Sequence, residues 1–105
     1  MSLLSSLSAL LGGGKDRIDG PQARAMVAEG ALLVDVREPS EFSSGHVEGA
    51  KNVPVGRIET LANNADLARP VVVYCRSGGR SAMAASKLTK LGFQTVSDLG
   101  GMANW

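Results

Sequence analysis

Cys75 is the only cysteine in the sequence, and Arg76-Ser77-Gly78-Gly79-Arg80-Ser81 follows it directly. A cysteine attacks only as the thiolate, and the surroundings that lower its pKa are a helix N-terminus and nearby cations. Both are offered here. The apolar run Val71-Val72-Val73-Tyr74 reads as a buried strand, and the Ala-rich, Leu-containing run after Ser81 reads as a helix. A loop between two such elements can aim several backbone N–H groups, and the positive end of the helix dipole, at one spot. Gly78 and Gly79 permit the tight curl this needs. With Arg76 and Arg80 flanking them, the expected product is a small anion cradle around one sulfur. Such a cradle stabilises an attacking thiolate, an anionic substrate and an anionic leaving group with the same donors.

Each residue alone has a plainer reading. A lone cysteine after an apolar strand is commonly a small buried hydrophobe, two glycines and a serine can be a simple turn, and two arginines can be solvated. The combination on one strand–loop–helix unit is what points to chemistry.

The loop from Cys75 to Ser81 resembles the active-site loop of the rhodanese sulfurtransferase domain. A second block runs Asp35-Val36-Arg37-Glu38-Pro39-Ser40-Glu41-Phe42, then through Gly45-His46-Val47-Glu48-Gly49-Ala50 to Pro54, and is similar to that family's signature upstream of the loop. A third, Leu99-Gly100-Gly101-Met102-Ala103-Asn104-Trp105, resembles its closing segment. The likeness covers roughly residues 17–105, in order and at the right spacing.

The resemblance implies an α/β fold: a rhodanese-like single domain with a mostly parallel sheet of about five strands and helices on both faces. It also implies a thiosulfate sulfurtransferase that needs neither cofactor nor metal. Cys75 would carry a sulfane sulfur as a persulfide, taken from thiosulfate or a similar small donor and passed to a thiol or cyanide. Arg76, Ser77, Gly78, Gly79, Arg80 and Ser81 would bind the substrate. A protein sulfur acceptor is a further candidate partner.

Two other readings stay open at this point. Cysteine phosphatases and arsenate reductases of related fold also hold an oxyanion in a loop that starts with cysteine. Their phosphatase signature places five residues between Cys and Arg, whereas four separate Cys75 from Arg80. By family resemblance the shorter loop goes with a sulfur atom. The third reading is a partner-dependent sulfur carrier or a regulatory binding module with no turnover of its own.

The elements that must position this loop follow from the rest of the chain. At 105 residues there is room for one domain with a single modest core. A hydrophobic content of 44% and a charged content of 20% argue against disorder and against a membrane span. The formal net charge of +1, with both signs interspersed, leaves no footprint for nucleic acid or an acidic membrane. One cysteine excludes an intramolecular disulfide and a Cys-rich metal site, and it fits a reducing, cytoplasmic setting.

Residues 1–14 place Leu3, Leu4, Leu7, Leu10 and Leu11 at helical spacing ahead of three glycines, and read as a short amphipathic segment plus linker. The domain proper is assigned to residues 15–105. Within it, Arg17-Ile18 reads as an edge strand. A helix runs from Gly20-Pro21 to Glu29 with Gly30 as its stop, and Leu32 to Val34 is a second buried strand.

Asp35 and Arg37 then sit at the ligand edge of an open α/β sheet, near the Cys75 loop, where a supporting role is favoured over direct substrate contact. Glu38 and Glu41 are candidates to orient Arg37 or are solvated. His46, the only histidine, has no second ligand at metal spacing and reads as structural. Further on, the pattern predicts a strand over residues 50–53, a helix over 57–63, and the Val71 strand. It then predicts a helix from Ser81 to Leu91, a strand from Phe93 to Leu99, and a Gly100-Gly101 turn before Trp105. The resemblance implies a further helix beyond Trp105, and a terminal carboxylate beside that ring would need a partner if buried.

Overall fold

The computed structural model describes residues 15–105, so the Leu-rich segment expected over 1–14 lies outside the described residues. The strands are β1 (Lys15–Arg17), β2 (Leu32–Asp35), β3 (Lys51–Asn52), β4 (Val71–Cys75) and β5 (Val96–Gly101). The α-helices are α1 (Gly20–Ala28), α2 (Pro39–Ser43) and α3 (Gly79–Lys90), joined by 3-10 turns at Val55–Ala62 and Met102–Asn104. The five strands form one sheet in the order β1-β5-β4-β2-β3, and every pairing is parallel. Helical crossovers are what parallel pairing requires, and they cover both faces as expected.

Strand β4 is central and all five of its residues are buried. A parallel strand covered on both faces is continuously apolar rather than alternating, which explains the Val-Val-Val run. Its residues still alternate in direction. Val71, Val73 and Cys75 join the cluster under α3 and the first 3-10 turn, with Ile58, Leu61, Ala84, Ala85 and Leu88. Val72 and Tyr74 join the opposite cluster, with Ala23 of α1, Leu33 and Leu99. A one-residue slip of β4 would carry Cys75 to the wrong face, so the burial of these valines fixes where the sulfur points. Each fully buried valine contributes about 1.5–3 kcal/mol.

Helix α1 starts where the sequence predicts because Asp19 and Gln22 form a reciprocal cap: Gln22 N–H donates to Asp19 Oδ1 at 2.9 Å and Asp19 N–H to Gln22 Oε1 at 2.9 Å. Several boundaries differ from the sequence pattern. The edge strand is Lys15–Arg17 rather than Arg17-Ile18, and β3 is only two residues long. The expected helix over 57–63 is a 3-10 segment that begins at Val55 and is kinked at Arg57. Helix α3 begins at Gly79, two residues before Ser81, and the last strand begins at Val96 rather than Phe93.

The expected turn at Gly100-Gly101 is instead the end of β5. Val73 pairs with Asp98 but Tyr74 pairs with Gly100, so Leu99 is an extra residue, a bulge that lets β5 continue beside the Cys75 end of β4. Trp105 packs partly buried on the α1-side cluster, and its backbone oxygen accepts a hydrogen bond from the Arg24 guanidinium.

Candidate active site

Parallel pairing brings the C-terminal ends of β2, β4 and β5 to one edge: Asp35 is opposite Tyr74, and Cys75 is opposite Gly101. The chain leaves β4 at Cys75, turns through Arg76-Ser77-Gly78, and enters α3 at Gly79. Gly78 is the residue ahead of the helix and has φ +108°, a conformation that L side chains rarely adopt. Its glycine is therefore a backbone requirement. Because of that conformation the Gly78 N–H turns inward and donates to Cys75 Sγ at 3.0 Å, and the Ser81 N–H donates from the first turn of α3 at 3.3 Å.

Cys75 is 1% exposed. Burial alone pushes its thiol pKa up. The Ser81 hydroxyl and amide, then the amides of Gly78 and Ser77, outweigh that effect, and the thiol lies below its ordinary value of 9.0. The Ser81 hydroxyl is itself buried and donates to the Gly78 carbonyl at 3.1 Å, so its one proton serves either the sulfur or the loop backbone. Gly79 and Ser77 are exposed on the outer side of the loop.

The two arginines of the loop are not equivalent. Arg80 forms a fork-to-fork pair with Glu41 of α2, Nη1 to Oε1 at 2.6 Å and Nη2 to Oε2 at 3.0 Å. That pair, chiefly its hydrogen bonds, holds the Glu41 carboxyl down at about 2 and raises the pKa of Arg80. Arg76 is exposed and makes no ion pair among the described residues.

Asp35 and Arg37 are brought to the same edge and bind each other. Asp35 is fully buried and accepts from Arg37 Nε at 3.0 Å and Nη2 at 2.7 Å, as well as from the Arg37 backbone N–H at 2.9 Å. Arg37 Nη2 also donates to the Gly45 carbonyl at 2.7 Å, and the guanidinium lies 5.9 Å from the Tyr74 ring centroid. Its pKa is raised, first by the hydrogen bonds to Asp35. Neither Glu38 nor Glu41 hydrogen-bonds Arg37. Glu41 is spent on Arg80 and on the Glu38 N–H, which donates to its Oε1 at 3.0 Å. His46 is exposed and tied to α2: its Nδ1–H donates to the Phe42 carbonyl at 2.8 Å, and its ring stacks on Phe42 at 3.6 Å.

Three contributors to the site are not apparent from residue type. Glu41 lies in the block already singled out, but its partner is 39 residues away. Gly101 lies so close to the loop that only hydrogen fits on its Cα. Arg17, on edge strand β1, reaches the back of the loop: a Cβ on Gly78 would meet its Nη2 at 3.6 Å, and its Nε is 3.5 Å from Asp98. Only the parallel pairing of β1 with β5 brings it there, and no local pattern signals that.

The sequence profile of the rhodanese-like domain matches residues 19–105. A thiosulfate sulfurtransferase, GlpE, of Pseudomonas entomophila is 39% identical over 90 residues, which is 85% of this chain and 83% of that protein. A solved structure described as a rhodanese with anions, from E. coli, superposes with a TM-score of 0.66 at 30% identity, covering 71% of this chain and 91% of that one. The human single-domain sulfurtransferase TSTD1 shares the fold with a TM-score of 0.72 at 23% identity, over 88% of this chain and 91% of that one.

Proposed function

The chain belongs to the rhodanese-like domain family, and we propose that it moves a sulfane sulfur from thiosulfate or a similar donor to a thiol or cyanide through a persulfide on Cys75. The observation that carries this reading is the pair of N–H donors, from Gly78 and Ser81, converging on a buried sulfur at 3.0 and 3.3 Å. Four residues separate Cys75 from Arg80, the shorter loop length that, by family resemblance, goes with a sulfur atom. The thiosulfate sulfurtransferase relatives at 36–39% identity support the same donor class.

In the first step the Cys75 thiolate attacks the outer sulfur of thiosulfate. A bond forms between Sγ and that sulfur, the sulfur–sulfur bond of the donor breaks, and its electron pair leaves with sulfite. In the second step cyanide or a thiolate attacks the outer sulfur of the persulfide, giving thiocyanate or a new persulfide and returning the Cys75 thiolate. Amides of the loop hold the transferred sulfur, and Arg76 meets the anionic end of the donor and the departing sulfite. Arg80 is held in place by Glu41, while Asp35 and Arg37 support the edge without touching substrate. The single thiol and the small donor suit a cytoplasmic setting, and among the described residues no helix is long and apolar enough to cross a membrane.

Steady-state kinetics with thiosulfate and cyanide varied together test this reading. Parallel double-reciprocal lines are expected. No thiocyanate from folded, reduced protein, or faster turnover of a phosphomonoester, would overturn it. Arg76→Ala should lose about a hundredfold to a thousandfold in turnover while leaving a measurable rate, the loss typical of one anion-stabilising donor.

A further inference from the structure

An unpaired arginine in the first turn after the nucleophile would be the natural anion receptor of such a site, yet Arg80 is not unpaired. Both of its terminal nitrogens donate to Glu41, and the two side chains are only 34% and 27% exposed. Glu41 is fixed in turn. Its Oε1 also accepts from the Glu38 N–H, the hydrogen bond that closes the first turn of α2. Arg80 adjoins Ser81, whose amide reaches the sulfur, and the Cys75 thiolate is among the charges that raise the Arg80 pKa. A carboxylate is thus paired with the arginine next to Ser81, in a loop whose other arginine makes no ion pair among the described residues.

We propose that Glu41 determines how strongly this site selects for anionic sulfur donors: by pairing with Arg80 it cancels that residue's charge, leaving Arg76 and the loop amides to attract the donor. The proposal rests on the sulfurtransferase reading and assigns Glu41 a specificity-determining role exerted by its charge beside Arg80. Its physical basis is Coulombic. A dianion such as thiosulfate approaching the loop meets a cation and an anion together, so the attraction of Arg80 is largely offset at the distance of the mouth. A thiol acceptor, which attacks as a monoanionic thiolate, carries half that charge and meets a smaller effect.

Glu41→Gln keeps an oxygen acceptor for Arg80 and removes the charge. It is expected to lower the KM for thiosulfate about threefold to tenfold, with kcat changed less than twofold and the KM for a thiol acceptor such as dithiothreitol lowered less. The gain should shrink as ionic strength rises. In an Arg80→Ala background the charge of Glu41 has nothing to offset it, so there the same substitution should lower the thiosulfate KM at least as much. A structural role for Glu41 alone would move stability without separating KM from kcat or the dianionic donor from the thiol acceptor.

An unchanged or raised thiosulfate KM in Glu41→Gln overturns the proposal, and so does the absence of any effect in the Arg80→Ala background. Persulfide formation by the wild-type chain, read by intact mass, separates the two levels. If it fails, the sulfurtransferase reading falls; if it succeeds while Glu41→Gln behaves as wild type, only the role of Glu41 falls.

Discussion

A Cβ placed on Gly101 would stand 2.7 Å from the carbonyl oxygen of Arg76, closer than real Cβ contacts come. The end of β5 is therefore the surface against which the first residue of the Cys75 loop is moulded, and the bulge at Leu99 sets its height.

Gly101 has φ −83°, which any residue tolerates, so Gly101→Ala acts through the clash with backbone and not through strain at its own position. Overpacking of this kind typically costs about 1–3 kcal/mol. The urea midpoint should fall by that amount divided by the slope, with the slope itself unchanged. The rate of persulfide formation should fall with it, because the displaced carbonyl belongs to the loop that aims the amides. A variant as stable and active as wild type would show that the loop does not rest on β5.

Much of this site could be read from sequence where the cause is local. The β-branched run before Cys75, the glycines after it and the apolar spacing of α3 each report on neighbours within a turn, and Asp35 and Arg37 are two residues apart. What could not be read depends on pairing across the sheet. The Glu41–Arg80 pair joins residues 39 apart, so the sequence suggests only that Glu41 is near Arg37. Gly100-Gly101 resembles a turn by composition, yet β5 continues through it because β4 offers a partner up to Cys75. The helix over 57–63 has the right apolar spacing but tightens to 3-10 geometry around a kink at Arg57.

Asp35→Ala should unfold the edge of the sheet more than any other single change near the site. It leaves the 6%-exposed Arg37 guanidinium without its carboxylate, and removing one partner of a buried pair costs about 3–5 kcal/mol. Denaturant titration measures this directly. A loss below about 1 kcal/mol would mean that the pair is already solvated.

Tyr74→Phe isolates a single hydrogen bond. The Val47 N–H donates to the Tyr74 hydroxyl at 3.0 Å in a buried setting, and burial, the dominant influence, pushes the Tyr74 pKa up to about 12. The phenylalanine leaves that N–H without a partner at a cost of about 1–3 kcal/mol. Hydrogen exchange at Val47 should accelerate correspondingly, and unchanged protection would contradict the assignment.

Stability should depend on pH at both ends of the range. Because the folded Cys75 pKa lies below its unfolded value of 9.0, the unfolded chain holds more protons between the two values. Wild type should therefore gain stability over Cys75→Ser as pH rises through the folded pKa towards 9.0, and lose that gain as pH falls. Glu41 behaves likewise in acid. Its contribution is full above the ordinary value of 4.5 and disappears as pH drops to about 2, so the difference between wild type and Glu41→Gln should close over that window. Thermal melts at stepped pH follow both, and pH-independent differences would contradict the two assignments.

The central claim is that Cys75 takes up one sulfur atom. Intact mass after incubation of the reduced chain with thiosulfate tests it most directly, with Cys75→Ser alongside. The account predicts a gain of one sulfur on wild type, reversed by cyanide and absent from the variant. A folded, reduced wild-type protein that gains nothing, or a variant that gains the same mass, would contradict it.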